Sequence, residues 1–306
     1  MRLILPLICL PFAAQAELRI VTDIAPVHSL VSQVMGDLGA PDVLVSGAAS
    51  PHDFQFDFTQ AGAVQDADLV IWVGPPLTPW LEDALDTLAP NATTLTLLDT
   101  DGWTQLEPRD WDDGHDHGDH DEEDHGHDDH DHGDHDVDPH AWLDPMVASA
   151  WTRQIAAALA DADPDNAAAY AANADATLAR LGQLDADISA QMAALPDAPF
   201  LVPHDAYQYF GARYGVPAAG TITLSDAQAP SPVTLADMQA LVRDDGIVCV
   251  LSDPQSRSGW GDLVREGSGA RSALADPMGT TIPVGPDHYD QTLRALAAAY
   301  GDCIGG

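Results

Sequence analysis

The chain has 306 residues, of which 45% are hydrophobic, and its 49 acidic and 11 basic side chains give a formal net charge of −38. The hydrophobic share supports a packed core and excludes a disordered chain, and the length fits one large domain or two moderate ones. The charge repels nucleic acid and anionic membrane surfaces, which excludes both as partners and leaves cations as the ligands to look for.

At the N-terminus, Arg2 precedes a short apolar run, and Ala14-Gln15-Ala16 puts small residues at −3 and −1 of a cleavage site. Residues 1–16 therefore read as a secretory signal peptide cut after Ala16. The run is too short to cross a bilayer. Cleavage removes Cys9 and leaves Cys249 and Cys303, an even count in an oxidising compartment. As a disulfide the pair would close a long loop and contribute roughly 4 kcal/mol. As two buried thiols it would only pack, and both readings stand on the residues alone.

Along the mature chain, residues 18–24 read as a strand, 27–35 as a helix stopping at Gly36, and 42–45 as a short strand. After the loop GAASPHDF, Thr59 is placed to cap a helix reaching Asp66. A strand at 69–73, a helix at 79–88 and a strand at 94–97 follow. Strands separated by helices of this length predict βαβ units and a parallel sheet. Residues 145–160 are helical. From Pro164 to Leu195, apolar residues recur at three- and four-residue steps, which predicts one amphipathic helix about 48 Å long, a strut between two lobes. Alternation then resumes, with strands at 200–202, 219–224, 247–251 and 281–284, and helices at 206–214, 235–244, 261–267 and 289–300. The fold class is α/β: two Rossmann-like lobes with parallel sheets, at 17–144 and 196–306, joined by the helical segment 145–195 with its long rigid helix 164–195.

Five His lie outside an unusual tract described below. His52, His140 and His204 each follow a Pro, in SPHDF, DPHAW and VPHDAY, where a strand or loop hands over to the next element. Pro stiffens such loops, and ligand crevices of open α/β sheets lie at strand carboxyl ends. Three imidazoles suit Zn²⁺, with a carboxylate or water completing a tetrahedron. Three unrelated structural His would read the same way, because their spacing fits no short zinc motif. His28 reads as a helix-capping or supporting residue and His288 as solvent-exposed. Trp142, Phe54 and Tyr207 flank the candidate ligands and read mainly as packing.

The phrases VTDIAPVHSLVSQVMG, SPHDFQFDFTQAGAVQDADLVIWVG, HAWLDP, PHDAYQYFGARYGV, VCVLSDPQ and LADPMGT follow one another over nearly the whole mature chain. In this order they resemble the cluster A-I substrate-binding proteins of metal-uptake ABC transporters, and within them the zinc-uptake branch. The resemblance implies a periplasmic, non-enzymatic, monomeric protein that binds Zn²⁺ between two lobes. It would deliver the ion to an ABC-type permease in the inner membrane, powered by a cytoplasmic ATPase. Carried over by position, His52, His140 and His204 match the family's His ligands, and Asp276 matches a carboxylate ligand of many members. Manganese members usually hold a carboxylate where His204 stands, so His204 favours zinc. Some zinc members use a Glu before the first His, or a water; here Pro51 removes the Glu option. Cys249 and Cys303 match the family's disulfide.

Residues 112–136 hold eight His (His115, His117, His120, His125, His127, His130, His132 and His135) among 13 carboxylates. A solvated acidic linker needs no imidazole, so the tract reads as an auxiliary Zn²⁺-binding loop tethered beside the site. The alternatives are a manganese carrier of the same fold, a periplasmic zinc buffer and a secreted zinc hydrolase. The hydrolase finds no HExxH motif.

Overall fold

The computed structural model describes residues 18–109, 111, 137–256 and 259–306. The signal-peptide reading at 1–16 and the eight His of the 112–136 tract lie outside the described residues.

The first lobe opens with β1 (Ile20–Ile24), buried along its whole length, which runs directly into α1 (Ala25–Met35) with Pro26 in its first turn. Pro fits there because its missing N–H has no intrahelical partner to lose. The elements β2 (Asp42–Val45), α2 (Phe58–Asp66), β3 (Leu69–Trp72), α3 (Pro79–Leu88) and β4 (Thr93–Thr96) follow. All pairings are parallel, in the order β2-β1-β3-β4. Thr59 does not cap α2. Asp57 does, accepting from the N–H groups of Thr59 and Gln60 while the Gln60 side chain accepts from its own N–H. This reciprocal box needs a Gln or Glu three residues after the cap, which Asp57 has.

A helical layer comes next. Asp144 caps α4 (Pro145–Ala162). The helix expected at 164–195 is shorter: Pro164–Asn166 forms a 3₁₀ turn, and α5 runs from Ala167 to Met192, about 39 Å at 1.5 Å per residue. Its buried residues are Tyr170, Ala174, Thr177, Leu181, Leu184, Ile188 and Met192, a single helical stripe.

The second lobe comprises β5 (Phe200–His204), α6 (Gln208–Tyr214), β6 (Gly220–Thr223), α7 (Pro232–Asp244), β7 (Cys249–Ser252), α8 (Trp260–Arg265), β8 (Arg271–Leu274) and α9 (His288–Ile304). Its parallel order, β6-β5-β7-β8, repeats that of the first lobe. The strand expected at 281–284 is absent. That segment is a turn, with the Ile282 N–H bonded to the Gly279 carbonyl, and the edge strand forms earlier, at β8. Most of β8 is exposed, so it carries no apolar signature.

One hydrophobic core runs from the first sheet through α1, α4, α5 and α9 into β5 and β7. A separate small cluster (Leu201, Ile222, Val242, Ile247, Val250, Val264 and Ala270) lies under α7 and α8. Cys249 and Cys303 are disulfide-bonded and buried, which joins β7 to α9.

Two His readings change. His288 is 1% exposed, not on the surface: it begins α9, and its Nε2 lies 2.9 Å from the Met278 carbonyl. His28 lies inside α1 rather than at its cap, and its Nε2 lies 3.0 Å from the Pro41 carbonyl.

Candidate metal centre

The three Pro-preceded His come from three separate places in the fold. His52 lies on the loop between β2 and α2, His140 just before the 3₁₀ turn Ala141–Leu143, and His204 at the carboxyl end of β5. Their rings nevertheless form a chain. The His52 and His140 centroids are 5.4 Å apart, those of His140 and His204 5.6 Å. The Nε2 atoms of His52 and His140 are 3.4 Å apart. A tetrahedron with metal–nitrogen bonds of about 2.0–2.1 Å has edges of about 3.3–3.4 Å, so this spacing suits one shared ion. Among the described residues, no three His, Cys, Asp or Glu side chains are already closed into a metal shell. The trio is adjacent ring to ring without being closed around one point.

The three imidazoles, with Pro51, Trp142, Asp226, Gln255, Pro277 and Met278, line a small cavity of about 10 Å³. A larger one of about 50 Å³ lies beside it at the ends of β5, β6 and β7 and shares Asp226.

Two of the imidazoles are braced by carboxylates. Asp138 accepts from both the backbone N–H (3.0 Å) and Nδ1 (2.8 Å) of His140. Asp253, just beyond β7, accepts from Nδ1 of His204 at 2.7 Å, because the β5–β7 pairing sets the two strand ends side by side. With Nδ1 donating, each ring keeps its Nε2 lone pair for a cation. Asp138 Oδ2 is buried with no hydrogen-bond partner among the described residues. Burial opposes charge on His204, but the Asp253 hydrogen bond and charge outweigh it and hold its pKa above the ordinary His value. Burial, followed by the neighbouring His140 and His204, puts His52 well below that value, so its ring is neutral and ready to ligate.

Asp276 is not in the cavity lining. Its Oδ1 accepts from the N–H groups of Met278 and Gly279, and its Oδ2 from the N–H and hydroxyl of Thr280. It thus builds the turn that carries Pro277 and Met278 to the cavity wall. Gly279, at φ +65°, is required in that turn, because a Cβ would collide with Thr292 Oγ1 and lie 2.9 Å from His288 Nε2.

The chain on either side of the 112–136 tract is seated beside the centre. Arg109 and Trp111 both donate to the Asp205 carboxylate, next to His204, and the Arg109 guanidinium lies over the Trp111 ring. On the far side, the Asp138 N–H bonds to the Leu106 carbonyl, and the Leu106 N–H to the Tyr209 hydroxyl. Asp138, Asp253, Asp226 and this clamp were not singled out by sequence. Asp138 and Asp253 stand in DPH and SDP, but acidic residues are too frequent here for such placement to signal anything.

Two lobes of one topology, welded by a helical layer and holding a His cluster at the strand ends, define a metal-binding protein of the two-lobed substrate-binding class. Residues 20–303 match the family model "Zinc-uptake complex component A periplasmic" (ZnuA), and the chain belongs to that family. It is 42% identical to the high-affinity zinc uptake system protein ZnuA of Paracoccus denitrificans, over 95% of this chain and 94% of that one. It is 39% identical to the protein of the same name in Brucella abortus, over 93% and 91%. A crystal structure of ZnuA superposes with a TM-score of 0.74 at 25% identity, covering 94% of this chain and 98% of the other. The substrate-binding protein FpvC of Pseudomonas aeruginosa in complex with Mn²⁺ shares the fold, with a TM-score of 0.76 at 20% identity over 94% and 99%.

Proposed function

We propose that the protein captures Zn²⁺ in the periplasm and hands it to an ABC-type importer, without catalysing a reaction on it. The observation that carries this reading is the meeting of His52, His140 and His204, two of them braced so that Nε2 is free to bind. An all-imidazole set suits zinc better than manganese, which prefers oxygen donors. The relatives' name, high-affinity zinc uptake, supports the same cargo. The delivery partners follow from the family: a permease in the inner membrane and, through it, a cytoplasmic ATPase, with the binding protein acting as a monomer. Residues 1–16 would export the chain and be removed after Ala16.

Asp276 remains the proposed fourth ligand. It can join only by exchanging one of its present hydrogen-bond donors for the ion, so the three imidazoles account for most of the affinity, and a water otherwise completes the shell. The eight His of the tract are proposed as auxiliary zinc ligands that load the site. Competitive zinc titration of the wild type against His52→Ala, His140→Ala, His204→Ala and Asp276→Ala tests the assignment. Loss of tight binding in each His variant supports it; wild-type affinity in all three refutes it. Deleting residues 112–136 should lower zinc stoichiometry and slow loading.

A further inference from the structure

His52 lacks the support its partners have. Among the described residues its ring nitrogens contact only His140, and the residue is fixed through its backbone instead. The His52 N–H donates to Ser50 Oγ at 3.2 Å, and Ser50 Oγ donates to Asp226 Oδ1 at 2.7 Å. Ser50 belongs to the first lobe. Asp226 belongs to the second, on the segment between β6 and α7, and is 6% exposed. The loop is fastened on its own side by Trp80, whose Nε1 donates to the Pro51 carbonyl at 2.6 Å and whose ring packs on Phe54 and Phe56. Asp226 therefore sits where the two lobes meet over the cavity it helps to line.

We infer that Asp226, acting through Ser50, is a positioning residue for zinc: it latches the His52 loop across the lobes and so keeps the third imidazole within reach of the other two. This rests on the zinc reading of the site. The braced His140 and His204 form a preset pair that meets the ion first. His52 then closes the shell at an effective concentration set by how tightly its loop is held. Opening the Ser50–Asp226 bond lowers that concentration without touching the preset pair. His52 is thus the ligand that leaves first, and the latch controls dissociation far more than association.

Stopped-flow zinc loading, and release into a chelator, test this on the full-length mature protein. Ser50→Ala and Asp226→Ala should each speed release about tenfold and leave loading within about twofold. The zinc-free melting temperature should fall by no more than about 2–4 °C, the cost of one lost hydrogen bond in a chain of this size, and Ser50→Thr, which keeps the hydroxyl, should restore slow release. Unchanged release in Ser50→Ala overturns the latch. So does weak binding in Asp226→Ala alone, which would make Asp226 a direct ligand, or a larger fall in zinc-free stability, which would make Ser50 scaffold. His52→Ala is the control that separates the two levels: if it binds zinc like the wild type, the zinc site itself is wrong, whereas its loss beside an unaltered Ser50→Ala defeats only the latch.

Discussion

The two lobes have the same strand order and are held to very different degrees. The first sheet is continuous with the helical layer, and β1 and β3 are buried along their entire lengths. The second sheet is split. Its inner strands, β5 and β7, contribute to the main core on one face and to the small cluster on the other, whereas β6, α7 and α8 rest on the small cluster alone, and α7 buries only Val242. Support for the site follows this division. Asp253 directly follows β7, which the disulfide ties to α9, and Asp138 lies beside the core residues Ala141 and Trp142. Asp226 follows β6, in the thinly packed half. Topology alone therefore does not set rigidity; the depth of the core behind each strand does.

The contrast can be broken hardest at its best-supported point. His204→Ala should weaken zinc binding by more than about 100-fold, and should also destabilise the zinc-free protein by about 3–5 kcal/mol because Asp253 is left buried without its partner. Competitive titration and urea unfolding measure the two effects. Unaltered stability would mean that the His204–Asp253 pair does not brace the lobe. Reducing the disulfide, or replacing Cys303 with Ser, should cost about 2–5 kcal/mol while zinc affinity changes little, because the link supports β7 and not the ligands directly. A thermal melt with and without reductant checks this.

Asp138→Asn and Asp253→Asn should each lower zinc affinity about 10- to 100-fold, the range for a group that orients a ligating imidazole. Isothermal titration decides between this and a purely structural role. In the deeply packed first lobe, burial pushes the Asp23 carboxylate up to about 7, and the N–H groups of Ile24 and Val73 only partly offset this. The folded state then keeps a proton that the unfolded chain releases near pH 4. Asp23's contribution to stability is therefore fully present below about pH 4 and is lost as pH rises towards 7, by at most about 1.4 kcal/mol per pH unit. Comparing chemical denaturation of the wild type and Asp23→Asn across that window should show the slope shrink in the variant. The smallest effect is expected at the exposed cap of α2, where Asp57→Ala should cost about 1 kcal/mol in a urea melt and leave zinc binding intact.

Local order was largely legible in the residues. β2 and α3 run over the expected residues because their signals are short-range: an apolar run bounded by breakers, and a Pro in a first helical turn. The three proposed ligands were legible because each follows Pro in a repeated phrase, and because the family resemblance singled them out. Their supports were not. Asp253 is 49 positions from His204 and meets it only through strand pairing, and a nearby acid says little in a chain with 49 of them. His288 was misread because GPDHYD looks like a surface turn; the 276–283 segment folds over it and buries it. The edge strand β8 escaped because exposure erased its pattern, and the end of the long helix moved because Pro164 favoured a tighter turn.

The clamp of Arg109 and Trp111 on Asp205, with the Asp138–Leu106 bond on the other side, gives residues 112–136 two fixed ends close together. Closing a loop between fixed ends depends only weakly on its length, with each doubling costing about 0.6 kcal/mol. Each added residue between those ends therefore costs the fold little closure entropy, so shortening or lengthening residues 112–136 should leave the stability of the two lobes nearly unchanged in a thermal melt.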